Sequence, residues 1–230
     1  MKNTSPSPRR AARPRDAATL VLVRSQGGKQ AVLMGQRHGG LEFLPDHYVF
    51  PGGRLERADY HAAPARPLNH RVADLLGRSA ATPRKAQALA LAAVRETFEE
   101  TGLIIGRPMA APRRIPKSWA RFYETGQGPD LYALDYITRA VTPPFRNRRF
   151  NARFFLADGE RTSGKINGSG ELLHIEWIPI ARAKLLKLSG ITKIVLDTVE
   201  EILSAPEDWR RRGTVPAYRV LHGKRVVEHE

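Results

Sequence analysis

The chain has 230 residues, of which 41% are hydrophobic, and this is enough apolar material for one sizeable core. It contains no cysteine, which excludes disulfides, thiolate catalysis and zinc–thiolate sites, and no apolar run approaches the ~20 residues that span a bilayer. The formal net charge of +15 favours anionic partners, which include phosphorylated small molecules and nucleic acid. We therefore expect a cytoplasmic protein with no membrane partner.

The elements follow one another without an internal repeat. Residues 1–16 are rich in Pro, Ser and Arg and predict a disordered basic tail, and residues 17–230 predict a single domain. Strands are expected at 18–23, 31–34, 48–50, 131–141, 149–156, 172–178 and 217–227. Helices are expected at 83–101, 180–188 and 193–203, with one helical turn near 72–76. This mixture lacks strict βαβ alternation, so it favours an α/β (α+β) fold with a mixed sheet flanked by helices.

The helix expected at 83–101 carries three glutamates on one face. On a wheel of about 100° per residue, Glu96, Glu99 and Glu100 cluster together opposite an apolar stripe. A solvated helix face would explain this pattern by itself. However, like charges at these spacings repel, and a hard divalent cation such as Mg²⁺, which takes oxygen ligands, would relieve that repulsion.

A family resemblance favours the metal site. The stretch RETFEETGL, residues 95–103, resembles the second half of the Nudix box, R-E-U-x-E-E-x-G-U with U apolar. The first half, G-x5-E, is matched by Gly53 to Asp59, where Asp59 stands in place of the glutamate. Thr97 replaces an apolar residue, and residues 60–94 separate the two halves where the family has a much shorter spacer. The resemblance implies a Nudix-type α/β/α sandwich with an insertion at about 60–82 inside the box.

The same resemblance implies an activity and a metal site. The protein would be a hydrolase that cuts a diphosphate linkage with Mg²⁺, or Mn²⁺, as cofactor. Glu99 and Glu100 would be direct metal ligands, and Glu96 would be a third ligand or the base that activates water. Gly52 would supply a carbonyl oxygen, although a plain tight turn explains the two glycines at 52–53 equally well.

Other residues are assigned to the surroundings of the metal. Arg95 would orient the glutamates through a bidentate ion pair, and Gly53 and Asp59 would support them. Family members often use a further acid from outside the box. Glu171 and Glu176 are the candidates, and Glu171 is preferred, although an ordinary surface carboxylate is an equally good interpretation.

Two flanking stretches narrow the resemblance further. HGGLEFLPDHYVFPGG and VTPPFRNRRFNARFFLA are similar to the branch that contains peroxisomal-type coenzyme A diphosphatases and their bacterial relatives. This similarity makes coenzyme A or an acyl-CoA the first choice of substrate. Asn151 and Ala152 stand where that branch has Asp and Thr, so ADP-ribose, dinucleotides and nucleotide sugars stay open.

Several arginines could meet the substrate phosphates. Arg37, Arg149 and Arg153 are the principal candidates, with Arg146 and Arg148 beside them, and a surface or structural role is the competing interpretation for each. A non-catalytic Nudix-fold binding module is the alternative function, although such modules commonly lose box glutamates. Nucleic acid is not expected as a partner because no aromatic and basic platform for stacking bases is visible. A homodimer is left open.

Overall fold

A computed structural model gives the structure of residues 12–40, 44–80 and 82–230. The predicted tail lies mostly outside the described residues, and the first strand begins at Arg15, two residues before the predicted start of the domain. The strands of the described residues are β1 (Arg15–Gln26), β2 (Lys29–Arg37), β3 (Tyr48–Val49), β4 (Gly52–Arg54), β5 (Leu103–Ile104), β6 (Gly106–Pro108), β7 (Gln127–Pro129), β8 (Asp135–Val141), β9 (Phe150–Asp158), β10 (Ser163–Gly164), β11 (Leu172–Pro179), β12 (Pro216–Leu221) and β13 (Lys224–His229).

Helical segments lie between these strands. The α-helices are α1 (His70–Ala80), α2 (Pro83–Thr101), α3 (Ala120–Tyr123), α4 (Ile180–Ala183), α5 (Gly190–Ser204) and α6 (Pro206–Arg211), and short 3₁₀ turns occur at Ala58–His61, Lys117–Trp119, Leu131–Ala133 and Gly159–Arg161. None of the helices in the described parts of the chain reaches the length and apolarity of a membrane span.

The main sheet is mixed. Its strands run in the order β11-β2-β1-β9-β8-β12-β13, with β3 paired to β2 and β4 paired to β1. The pairs β1–β9 and β8–β12 are parallel, whereas the other pairs are antiparallel. Consecutive residues from Leu20 to Val23 in β1 are all buried, and because successive side chains point to opposite faces, both faces of the sheet are covered here. The expected mixed sheet flanked by helices is confirmed.

Helix α2 forms where the sequence predicts it. Thr82 precedes it in extended conformation and its hydroxyl accepts a hydrogen bond from the Lys85 N–H, while Pro83 suits the first helical position. Gly102 ends the helix in the left-handed region, with φ of 76°. The helix packs against β1 and β4, which fixes its acidic end beside the glycine turn.

The inserted segment is more ordered than expected. The sequence predicted one helical turn near 72–76, but α1 is longer and has eleven residues. Its buried residues Val72, Leu75, Leu76 and Ala80 share one face, which packs on α2, and the Asn69 side chain accepts a hydrogen bond from the Val72 N–H. Gly77 lowers the intrinsic helix propensity, so packing against α2 rather than local sequence decides this helix.

Three other element predictions are wrong. Residues 217–227 form the hairpin β12–β13 instead of one strand, and it turns at His222 and Gly223, which both have positive φ. The helix expected at 180–188 ends at Ala183, and the strand expected from residue 131 begins at Asp135 after a 3₁₀ turn. The short elements between Leu103 and Pro129 had no prediction.

The packing of α1 predicts that the insertion contributes to stability. Leu76 is fully buried, so Leu76→Ala should lower the free energy of unfolding by about 2–5 kcal/mol, measured by urea denaturation. Leu185→Ala is the matched control, because Leu185 is 85% exposed and its loss should change stability by about 0.5 kcal/mol or less. Equal effects of the two substitutions would show that α1 is not part of the cooperative core.

Candidate active site

The acidic face of α2 lies against the turn formed by Gly52 and Gly53. The Gly52 N–H donates a hydrogen bond to Glu100 Oε2 at 2.9 Å. A Cβ atom on Gly53 would lie only 2.3 Å from Glu96 Oε1, so any side chain at position 53 would take the space of this carboxylate. Close approach of helix and turn therefore explains Gly53 better than turn conformation does, and the structure brings the two halves of the motif together.

Arg95 connects this face to the first half of the motif and uses all five of its N–H donors. Nε and Nη2 donate to the two oxygens of Asp59, at 2.8 and 3.1 Å. Nη1 donates to Glu96 Oε1 at 3.0 Å and to Glu99 Oε2 at 3.1 Å. The remaining Nη2 proton goes to the carbonyl of Arg54 at 3.0 Å. The bidentate partner of Arg95 is thus Asp59, not a glutamate as the sequence suggested, and each glutamate receives a single bond.

Asp59 is completely buried in the 3₁₀ turn Ala58–His61 and accepts four hydrogen bonds. Besides the two from Arg95, its Oδ1 accepts one from Trp119 Nε1 at 3.1 Å, and its Oδ2 accepts one from the Glu56 N–H at 2.8 Å. These four donors fill the lone pairs of the carboxylate. Sequence reasoning missed Trp119, because no motif or spacing relates a residue 60 positions downstream to Asp59.

The charge of Arg95 is secure despite its burial. Burial by itself disfavours the guanidinium, but the hydrogen bonds to Asp59 and the attraction of Glu96, Asp59 and Glu99 outweigh it, and the pKa of Arg95 is raised above its ordinary value. Arg95 therefore stays a cation where it contacts Asp59, Glu96 and Glu99.

The glutamates lack enough positive charge around them. Burial raises the pKa of Glu100 to about 8, opposed by the hydrogen bond from Gly52 and reinforced by repulsion from Glu96. Burial likewise raises the pKa of Glu96 to about 7, with attraction from Arg95 opposing it and repulsion from Glu99 adding to it. Burial is also the main cause that raises the pKa of Glu99. An added cation would stabilise the ionised form of all three.

The chemistry of this donor set fits a hard divalent cation. Three carboxylates, those of Asp59, Glu96 and Glu99, bind a single guanidinium, and Glu100 lies beside them. Carboxylate oxygens are the ligands that Mg²⁺ and Mn²⁺ prefer. Within the described ranges, no three acidic or histidine side chains already form a ready-made metal site. Here Arg95 and the Gly52 N–H occupy the carboxylate oxygens instead.

Arg37 and Glu171 both lie close enough to Glu100 to act on it electrostatically. Arg37 ends β2 and pairs with Leu172 of β11, which places Glu171, the residue before Leu172, at the same end of the sheet. The positive charge of Arg37 lowers the pKa of Glu100, and the negative charge of Glu171 raises it. Glu176 is exposed further along β11, opposite Met34.

The other two arginines predicted at the substrate lie elsewhere. Arg153 is fully buried in β9, where it donates to Asp16 Oδ1 at 2.6 Å and to the Ser79 carbonyl at 2.7 Å. Arg149 donates to the carbonyls of Thr142 and Ala12. These contacts join β1, α1 and the β8–β9 pair, so they give both arginines structural partners, and their assignment to substrate phosphates stays a prediction.

With its mixed sheet, glycine turn and acidic helix, the chain has the fold of the Nudix hydrolases. It is 28% identical to a Nudix hydrolase of known structure from Alicyclobacillus acidocaldarius, with a TM-score of 0.64 over 84% of this chain and 96% of that one. A scan against protein-family models found no match.

A curated relative supports the coenzyme A diphosphatase branch. The chain is 26% identical over 207 residues to acyl-coenzyme A diphosphatase NUDT19 of Gallus gallus. The match covers 62% of this chain and 54% of the relative, so the chain spans about half the length of that protein.

The raised pKa of Glu100 predicts a pH dependence of the metal-free protein. Folding favours the protonated carboxyl, so its contribution to stability is complete below pH 4.5 and is lost as the pH rises through about 8. Glu100→Gln should therefore become more stable relative to the parent protein between pH 5 and pH 8, measured by thermal unfolding in EDTA.

The control for this experiment is Glu124→Gln, which removes the charge of an exposed glutamate. Its stability relative to the parent should be nearly the same at both pH values. A Glu100→Gln difference that does not change with pH would contradict the placement of Glu100 against the glycine turn.

Proposed function

We propose that this protein hydrolyses the diphosphate linkage of a nucleoside diphosphate derivative, with Mg²⁺ or Mn²⁺ as cofactor. The observation that carries the proposal is the gathering of three glutamates at one end of α2: Glu96 and Glu100 lie against the Gly52–Gly53 turn, and Arg95 holds Glu96 and Glu99. Like charges gathered at this density are unfavourable for the fold, so their arrangement is best explained by a cationic ligand that binds during function.

The residues divide into ligands and a base. Glu99 and Glu100 would bind the ion, together with the carbonyl oxygen of Gly52, and the Glu99 side chain is accessible at 38% exposure. Glu96 would be a third ligand or the base, and its pKa of about 7 suits proton transfer near neutral pH. The bound ion would neutralise the diphosphate and acidify a water molecule. Before the ion binds, Arg95 orients the carboxylates of Glu96 and Glu99.

Coenzyme A or an acyl-CoA is our first choice of substrate. Two observations support it: the relative named as an acyl-coenzyme A diphosphatase, and the stretches before and after the box that resemble that branch. Arg37, whose charge already acts on Glu100, is the described arginine best placed to meet a substrate phosphate. ADP-ribose, dinucleotides and nucleotide sugars are the alternative substrates.

The proposed function predicts that Glu100→Gln nearly abolishes turnover. Loss of one charged ligand removes several kcal/mol of transition-state stabilisation, which is a decrease of about 100-fold or more in kcat/KM. The measurement is a screen of coenzyme A, acyl-CoA, ADP-ribose, dinucleotides and nucleotide sugars with Mg²⁺ or Mn²⁺, with Glu124→Gln as the control that should keep full activity.

Two outcomes of this screen would count against the proposal. Equal activity of the parent and Glu100→Gln would remove the acidic face of α2 from the reaction. No turnover of any nucleoside diphosphate compound by the parent would favour a Nudix-fold binding module instead.

The position of Glu171 predicts that replacing Glu171 and replacing Glu176 have different effects on kcat. Glu171→Gln should lower kcat by about 10-fold or more if Glu171 assists proton transfer, because general acid–base groups contribute about 10²–10⁴-fold. Glu176→Gln, the same change within β11, should leave kcat unchanged, since Glu176 pairs opposite Met34, further along the sheet than Arg37 and Glu171. Equal steady-state kinetics of the two variants would assign Glu171 to the surface.

A further inference from the structure

We propose that Trp119 is a positioning residue of this site: its indole N–H fixes Asp59, and through Asp59 and Arg95 it sets the positions of Glu96 and Glu99. The inference rests on the proposed function, since it concerns the same carboxylates. Trp119 lies outside both halves of the motif, and its indole N–H bonds to Asp59 rather than to a glutamate, so its effect passes through two hydrogen-bonded side chains.

The four hydrogen-bond donors around Asp59 are divided evenly between its two carboxylate oxygens. Oδ1 accepts from Arg95 Nε at 2.8 Å and from Trp119 Nε1 at 3.1 Å, while Oδ2 accepts from the Glu56 N–H at 2.8 Å and from Arg95 Nη2 at 3.1 Å. Each oxygen therefore has one donor from Arg95 and one from a fixed neighbour. Removing the indole N–H leaves Oδ1 of a completely buried carboxylate with its bond from Arg95 alone, so this oxygen loses the one hydrogen bond that holds it independently of Arg95.

The rigid guanidinium of Arg95 passes a movement of Asp59 on to the glutamates. This group is planar and all five donors are occupied, so the fork cannot follow a rotating Asp59 without moving Nη1. Nη1 is the atom that donates to both Glu96 and Glu99. A displacement at Asp59 therefore reaches the two glutamates directly.

Trp119 is itself anchored independently of the site. It is fully buried, and its ring packs on Phe122 at 5.4 Å and on Tyr123 at 5.9 Å between centroids. The Tyr123 hydroxyl is hydrogen-bonded at 2.8 Å to both the N–H and the carbonyl of Ala63, and Phe122 packs on Phe98 of α2. The indole therefore gives Asp59 a reference point that does not depend on the glutamates.

Core packing is the competing explanation for a buried tryptophan, and the chain offers a matched control for it. Trp209 is also buried, at 2% exposure, but its Nε1 has no hydrogen-bond partner in the described residues. Trp119→Phe and Trp209→Phe remove the same atoms from two buried sites. They differ in that the first removes a hydrogen bond to Asp59.

The test has two readouts besides activity. Isothermal titration should show Mn²⁺ affinity weakened by about 10–100-fold in Trp119→Phe, as is typical when a residue behind the metal ligands is lost, and unchanged in Trp209→Phe. In the ¹⁵N-labelled parent protein, Mg²⁺ should shift the indole N–H signal of Trp119, because the ion draws Glu96 and Glu99 away from Arg95, and it should leave the Trp209 signal in place. Signals are assigned from the two variants.

Two results would overturn the inference: parental Mn²⁺ affinity in a folded Trp119→Phe protein, or a Trp119 indole signal that Mg²⁺ does not move although the ion binds. The second measurement uses the parent protein, so it decides the matter even if Trp119→Phe does not fold. Absence of any divalent-ion binding by the parent would instead overturn the proposed function, and this inference with it.

Discussion

The ion pair between Arg95 and Asp59 lies out of contact with solvent, where a charge that loses its partner costs the fold about 3–5 kcal/mol. This constraint brings together two segments that are separated in sequence by residues 60–94, and it fixes α2 to the 3₁₀ turn Ala58–His61. Because Asp59 and the Arg54 carbonyl take three of the five Arg95 donors, Glu96 and Glu99 share one nitrogen, and Glu100 depends on the Gly52 N–H. The glutamates are thus well positioned but poorly neutralised, as a site for a cation requires.

The parts that sequence reasoning could predict are those with local causes. Helix α2 is specified by Thr82 and Pro83 at its start and Gly102 at its end, so its bounds agree with the prediction. Motif order alone indicated that the glycine turn and the acidic face would meet, and this contact exists. Short apolar runs bounded by turn residues gave the strands β1, β2 and β11 to within a few residues.

The parts that could not be predicted depend on contacts between distant residues. Helix α1 is decided by its packing on α2, and the hairpin β12–β13 turns at His222 and Gly223, although positive φ is uncommon for a non-glycine residue such as His222. The burial of Arg153 against Asp16 has no local signature, so a surface arginine and a structural one look alike in the sequence. The contact of Trp119 with Asp59 is of the same kind, because it exists only after residues 117–123 fold beside the insertion.

The most direct test of the site is the anomalous scattering of Mn²⁺ soaked into crystals of the parent protein. The account predicts a peak bounded by the carboxylates of Glu99 and Glu100 and the carbonyl of Gly52, with Glu96 turned toward it and Arg95 still paired with Asp59. A Mn²⁺ peak at another place in the molecule, with the glutamates still bound to Arg95 and the Gly52 N–H, would contradict it.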